Sequence, residues 1–130
     1  MPLMTRLIMA ASAIVLGLAG IAASFAPQEI LSAFGLTAEG ILPVLVQLHG
    51  AMLLGFAMMN WMAKDSLIGG IYNRPLAIGN LVHFLVGALA VGKFVLRGDA
   101  APAAMIVAAV YTVFAIAFAR ILFRSPVAPA

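Results

Sequence analysis

With 130 residues, 65% of them hydrophobic and only 8% charged, and a mean hydropathy of +1.19, the chain is far from the balance of a soluble domain and belongs in a lipid bilayer. At roughly 20 apolar residues per crossing, this length admits four spans with short connections and excludes a separate soluble catalytic domain. The net charge of +3 comes from 7 basic and 4 acidic residues spread near span ends, a topology signal and not the basic patch of a nucleic-acid binder, and the lack of cysteine removes disulfides, thiolate metal sites and cysteine nucleophiles.

The first apolar run covers residues 7–25 and is preceded by MPLMTR, whose one charge is Arg6. It reads as a first span. The rival reading is a secretory signal peptide with Ser24-Phe25-Ala26 as a cleavage-like site, against which stands a run longer than a usual signal core. Ala10, Ala13, Gly17, Gly20 and Ser24 form a stripe of small residues that would let a neighbouring helix come close. The following segment, PQEILSAFGLTAEG, is too short to span. Pro27 suits a first helical position, Glu29 the positive end of a helix dipole and Gly35 a termination, so a short interfacial helix is expected, with Ile30, Leu31 and Phe34 on one face.

The second span, 41–63, has two different surfaces at helical spacing: His49, Leu53, Phe56 and Asn60 on one, Gln47, Ala51, Gly55 and Met58 on another. Trp61 marks its exit as an interfacial anchor. A loop follows with Lys64, Asp65, Gly69-Gly70, Tyr72, Asn73 and Arg74, and Pro75 opens the third span, 76–96. Its inward stripe is predicted as Leu76, Asn80, His83, Gly87, Ala90 and Phe94, with Leu81, Leu85, Val86 and Leu89 toward lipid. Gly98 and Pro102 make the last turn. The fourth span, 103–123, carries Ala104, Ala108, Tyr111 or Thr112, Ala115 and Ala119 along one face, and the tail SPVAPA is expected to be loose.

Arg6, Lys64, Arg74, Arg120 and Arg124 fall at one end of these spans, and Lys93 and Arg97 at the other. The positive-inside rule then predicts a multi-pass protein of the bacterial inner membrane with both termini cytoplasmic.

The chemistry-bearing residues in the bilayer are few. Two histidines on two helices invite a shared haem, but His49 and His83 each lie about eight residues into spans of opposite direction. That separates them by roughly 10 Å in depth, poor geometry for bis-histidine ligation, and no thiol or carboxylate joins them for another metal. No cofactor is therefore expected. Met52, Met58, Met59 and Met62 read as packing, not as copper ligands. Lys64, Asp65 and Arg74 with the Gly69-Gly70 amides could form an anion site, although their spacing matches no phosphate loop.

The candidate ligand site is Asn60, Asn80 and His83, with Tyr72 and Arg74 above them. Two readings stay open there: a polar pocket for a quinone carbonyl, a lipid headgroup or a proton path near the cytoplasmic side, or interhelical hydrogen bonds that hold the second and third spans in register. No serine, histidine and acid grouping and no carboxylate pair occurs in the spans, so an enzyme is not expected. The missing intramembrane carboxylate also disfavours the small proton-coupled drug exporters.

In FAPQEILSAFGL after the first span, and in the glycine-bearing QLHGAMLLGFAMMN of the second, the chain resembles the DoxX-like and related small four-span bacterial membrane proteins. The resemblance implies a four-helix membrane bundle, in some relatives linked to quinone-dependent redox partners, and carries over no catalytic residues. The expected fold is thus all-α, one domain, a four-helix transmembrane bundle with a short interfacial helix between spans one and two. The expected function is that of a non-enzymatic accessory subunit or homo-oligomer packing through its small-residue faces among membrane lipids. A binder of quinone or lipid is the alternative. A transporter or channel would need a wet path lined by Gln47, His49, His83 and Tyr111.

Overall fold

The computed structural model describes residues 2–127, so the last three residues of the tail expected to be loose lie outside it. Five helices follow one another: α1 (Leu3–Phe25), α2 (Pro27–Ala33), α3 (Leu42–Ala63), α4 (Arg74–Val95) and α5 (Pro102–Phe123). α1, α3, α4 and α5 are each long and apolar enough to cross a membrane, and α2 is the short helix between the first two. The chain is a multi-pass four-helix membrane bundle. Proline stands in the first turn of α2, α3, α4 and α5, where a missing amide hydrogen costs nothing.

The four long helices form two intimate pairs, α1 with α3 and α4 with α5. Small residues bring the first pair together. The site of a Cβ on Gly20 lies 3.0 Å from the carbonyl oxygen of Gly50, and that of a Cβ on Gly50 lies 2.9 Å from the amide nitrogen of Ser24. Gly17 faces Ala57 in the same seam. The stripe expected on the first span is therefore used inside the chain. In the second pair Ala104 and Ala115 of α5 are buried, and Tyr111 turns inward while Thr112 faces out and bonds its own helix at the Ala108 carbonyl, 2.7 Å away.

The rest of the core is bulky. Within the α4–α5 pair Phe84 of α4, with no exposed surface, packs against Phe114 and Phe118 of α5 at centroid distances of 4.9 and 5.6 Å. Met9 and Leu16 of α1 and Leu53 of α3 complete this core. The inward line of α4 thus runs Ala77, Asn80, Phe84, Gly87 and Val91, while Ala90 and Phe94 are exposed. The predicted stripe drifts off the contact because a straight helix turns 3.6 residues per turn and the 3.5-residue spacing read from sequence lags it by about 20° per heptad. The methionines depart from expectation as well: Met52, Met58, Met59 and Met62 are exposed on the outer face of α3, and among the described residues the buried methionine is Met9.

α1 begins earlier than the expected seventh residue and carries Arg6 within its first turns, where Nε sits 2.9 Å from the Asp65 carboxylate. The 64–73 loop folds back over the same end of the bundle. Gly69 and Gly70 have φ of +131° and +57°, Asn73 has φ of +48°, and the loop drives Ile68 into the core with 1% exposure. The amide of Gly70 donates to the Leu122 carbonyl at 3.1 Å, which occupies one of the free carbonyls in the last turn of α5.

Candidate functional site

The hairpin made by α3, the loop and α4 brings Asn60 and Asn80 face to face. Each side-chain amide donates to the other's carbonyl oxygen, at 2.7 and 2.8 Å. The second N–H of Asn60 donates to the Ser12 hydroxyl at 2.9 Å, and that of Asn80 donates to the Leu76 carbonyl at 3.0 Å. Ser12 in turn donates to the Met9 carbonyl. All three side chains have no exposed surface, and every donor they own has an acceptor. In a low-dielectric interior such a set ties α1, α3 and α4 at one depth and leaves none of its donors free. Ser12 is the member that sequence reasoning missed. Its signal was only that it is one of three hydroxyl residues in α1, with Thr5 and Ser24.

His83 belongs to a different group. Its ring stacks on Phe56 at 4.7 Å, meets Phe84 edge-on at 5.1 Å, and its Nε2 lies 3.1 Å from the Tyr111 hydroxyl. Tyr111 reaches it because α4 has no side chain at Gly87, one turn on; a methyl there would overlap the tyrosine ring. Gly87→Ala is accordingly expected to displace the ring, break the pair with His83 and cost about 1–3 kcal/mol, read from unfolding in mixed micelles and from the tyrosine Cζ NMR shift in a Tyr72→Phe background. Gly79→Ala, which meets only Phe56 at 3.9 Å, is its near-neutral control.

Tyr72 and Arg74 stand away from both groups, exposed at the loop and at the first residue of α4. The Tyr72 backbone exchanges hydrogen bonds with Gly69, at 3.0 and 2.9 Å. Of the donors proposed for an anion site, the Gly69 amide serves the Tyr72 carbonyl, the Gly70 amide serves Leu122, Lys64 lies 3.5 Å from Asp65 and 4.2 Å over the Trp61 ring, and Arg74 is exposed. Among the described residues no group of three or more His, Asp or Glu side chains is placed to hold a metal ion.

The larger opening lies at the other end of the bundle, beside α2. There a cleft of about 490 Å³ lies between the α1–α3 and α4–α5 pairs, within the ~300–1,000 Å³ of small-molecule sites. All five helices line it. α1 contributes Ala19 and Ala23, and Ile30 and Leu31 of α2 with Phe34 just after it contribute the face expected there. α3 adds Leu45, His49 and Leu53, α4 adds Val91, and α5 adds Val107 and Tyr111. Leu45, 50% exposed, and His49 stand at the rim, so the cleft is open. Its polar side chains are His49 and Tyr111, and no Asp, Glu, Lys or Arg lines it.

Tyr111 is consequently shared: its hydroxyl meets His83, and the residue lines the cleft with His49. Sequence spacing set His49 apart from the polar residues of the third span, whereas the fourth span supplies the link. Gln47 turns away and donates to the Ser24 carbonyl at 3.2 Å, and neither it nor His83 lines the cleft. No family model, no curated protein and no solved structure matches this chain.

Proposed function

We propose that this membrane protein binds a hydrophobic molecule drawn from the bilayer, a quinone or a lipid, in the cleft between its two helix pairs. The observation that carries the reading is the cleft itself, an apolar recess walled by all five helices and broken only by His49 and Tyr111. Ligand sites in membrane bundles are built in this way, with a mostly apolar wall and a small number of placed polar groups that fix orientation. The reading moves the ligand from the Asn60 and Asn80 end, where the polar atoms are consumed by one another, to the α2 end. Of the small-residue faces through which an oligomer was expected, that of α1, with Gly17, Gly20 and Ser24, packs against α3, which favours binding in the cleft over assembly.

By the distribution of basic residues, the protein resides in a bacterial inner membrane with both termini cytoplasmic, and the cleft then belongs to the outer half of the bilayer. Ala19 lines the cleft and is exposed, so a large side chain there fills the recess without disturbing the α1–α3 seam. Purified protein in lipid nanodiscs is expected to release a bound hydrophobic molecule to native mass measurement and organic extraction, and Ala19→Trp is expected to lose it at least tenfold while remaining folded. Equal ligand content in the two proteins would remove the cleft as the site.

A further inference from the structure

The cleft discriminates by charge and by hydrogen bonding, and its walls state both preferences. A phosphate or carboxylate drawn into it would leave water without an Arg or Lys to receive it, since none lines the recess. Burial of an unpaired ion in apolar surroundings is strongly unfavourable, so the occupant is uncharged. It nevertheless has a polar end to place, because His49 and Tyr111 interrupt an otherwise hydrocarbon wall.

The Tyr111 hydroxyl pairs with Nε2 of His83 at 3.1 Å, and either partner can be the donor. If Nε2 carries no proton, Tyr111 donates to it and keeps a lone pair that can only accept. If Nε2 carries the proton, it donates to the phenol oxygen and leaves the phenolic proton free to donate. A ligand carbonyl satisfies the second arrangement alone. A ligand hydroxyl satisfies both, because it donates and accepts. The same holds toward His49, whose neutral ring has one donor and one acceptor.

Tyr111 is also held before any ligand arrives. Its ring lies in the notch left by Gly87, and its partner His83 is fixed between Phe56 and Phe84. A preorganised polar atom discriminates better than a mobile one, because no rotamer freedom is lost on binding.

We infer that the cleft selects an uncharged long-chain molecule bearing a free hydroxyl, with Tyr111 contacting that hydroxyl and His83 positioning Tyr111. This deepens the binding reading above and rests on it. The test uses the full chain in phosphatidylcholine nanodiscs and three probes with the same mid-chain diazirine, a dodecanol, a dodecanoate and a dodecane. Photolabelling is mapped by peptide mass analysis and followed as a function of probe fraction in the lipid.

The dodecanol probe is expected to label Leu45, Val46 and Val107 at a half-saturating fraction ~3- to 10-fold below that of the dodecane, the range a single hydrogen bond supplies, with the dodecanoate no better than the dodecane. Tyr111→Phe keeps the ring in its notch and is expected to abolish the alcohol's advantage while leaving dodecane labelling unchanged. His49→Leu, at the exposed rim, is expected to reduce that advantage without loss of folding. A dodecanoate that labels as well as the alcohol, or an alcohol advantage that survives Tyr111→Phe, would overturn the hydroxyl inference yet leave the cleft as a hydrophobic site. Cleft residues left unlabelled by all three probes would overturn the binding reading and this inference together.

Discussion

Gly50→Leu is expected to lower the stability of the bundle by about 3 kcal/mol, the upper range for overpacking a close contact. A Cβ on Gly50 would stand 2.7 Å from the Ser24 hydroxyl, 2.9 Å from the Ser24 amide nitrogen and 3.0 Å from the Ala23 Cβ. Two of those three partners are backbone or a Cβ, which cannot swing aside, so α1 and α3 must separate. Close backbone approach is the chief source of attraction between helices in lipid, where no hydrophobic effect drives them together. Because Ala23 also lines the cleft, separating the pair would deform the cleft as well. Gly55 supplies the control from the same helix: a Cβ there meets nothing within 4 Å, and Gly55→Leu is expected to stay within ~0.5 kcal/mol of the parent. Reversible unfolding in mixed micelles with increasing sodium dodecyl sulfate measures both. A Gly50→Leu protein as stable as Gly55→Leu would show that the seam is not where α1 and α3 meet.

The second large effect is expected from Asn60→Leu. It removes three hydrogen bonds, one to Ser12 and two with Asn80, and leaves the Asn80 carbonyl and one of its two N–H groups unpartnered, the other N–H still donating to the Leu76 carbonyl. Interhelical hydrogen bonds in membrane bundles average ~0.6 kcal/mol, and an orphaned buried polar group costs ~1–3 kcal/mol, so a loss of about 2 kcal/mol is expected. The double replacement Asn60→Leu with Asn80→Leu is expected to cost less than the sum of the single ones, since it leaves no orphaned amide. Additive losses would show that the two asparagines do not form the reciprocal pair. A ligand assay of the same variants separates structure from binding: the asparagine pair holds helices in register, and cleft occupancy should persist wherever the bundle stays folded.

Both effects bear on how function is distributed along the molecule. One end of the bundle is closed, by the Asn60, Asn80 and Ser12 set, the aromatic packing around Phe84 and the loop that inserts Ile68. The other end is left open, with α2 folded beside it. A bundle held firmly at one end can keep a recess at the other without collapsing.

The four spans and the interfacial helix were legible from sequence because bilayer thickness imposes a length on apolar runs, and because Pro27, Gly35 and the prolines of the later helices mark where the backbone can start and stop. The pairing of Asn60 with Asn80 was legible too, since a short loop forces antiparallel neighbours and equal depth. Which polar groups meet across non-adjacent helices was not. Ser12 joins the asparagines and Tyr111 joins the histidines only because α1 packs on α3 and α5 packs on α4, and helix pairing in lipid is set by the shape of close contact, which leaves little mark on hydropathy. The same cause explains the stripe of α4 that slid from Ala90 to Val91 and the Gly17, Gly20 and Ser24 seam that turned inward. Composition and periodicity determined by themselves that this is a four-span membrane bundle with a short helix at the interface. The tertiary structure alone decided that its polar cluster is closed and its cleft open, because those properties depend on which helix faces which, and no single helix carries that information.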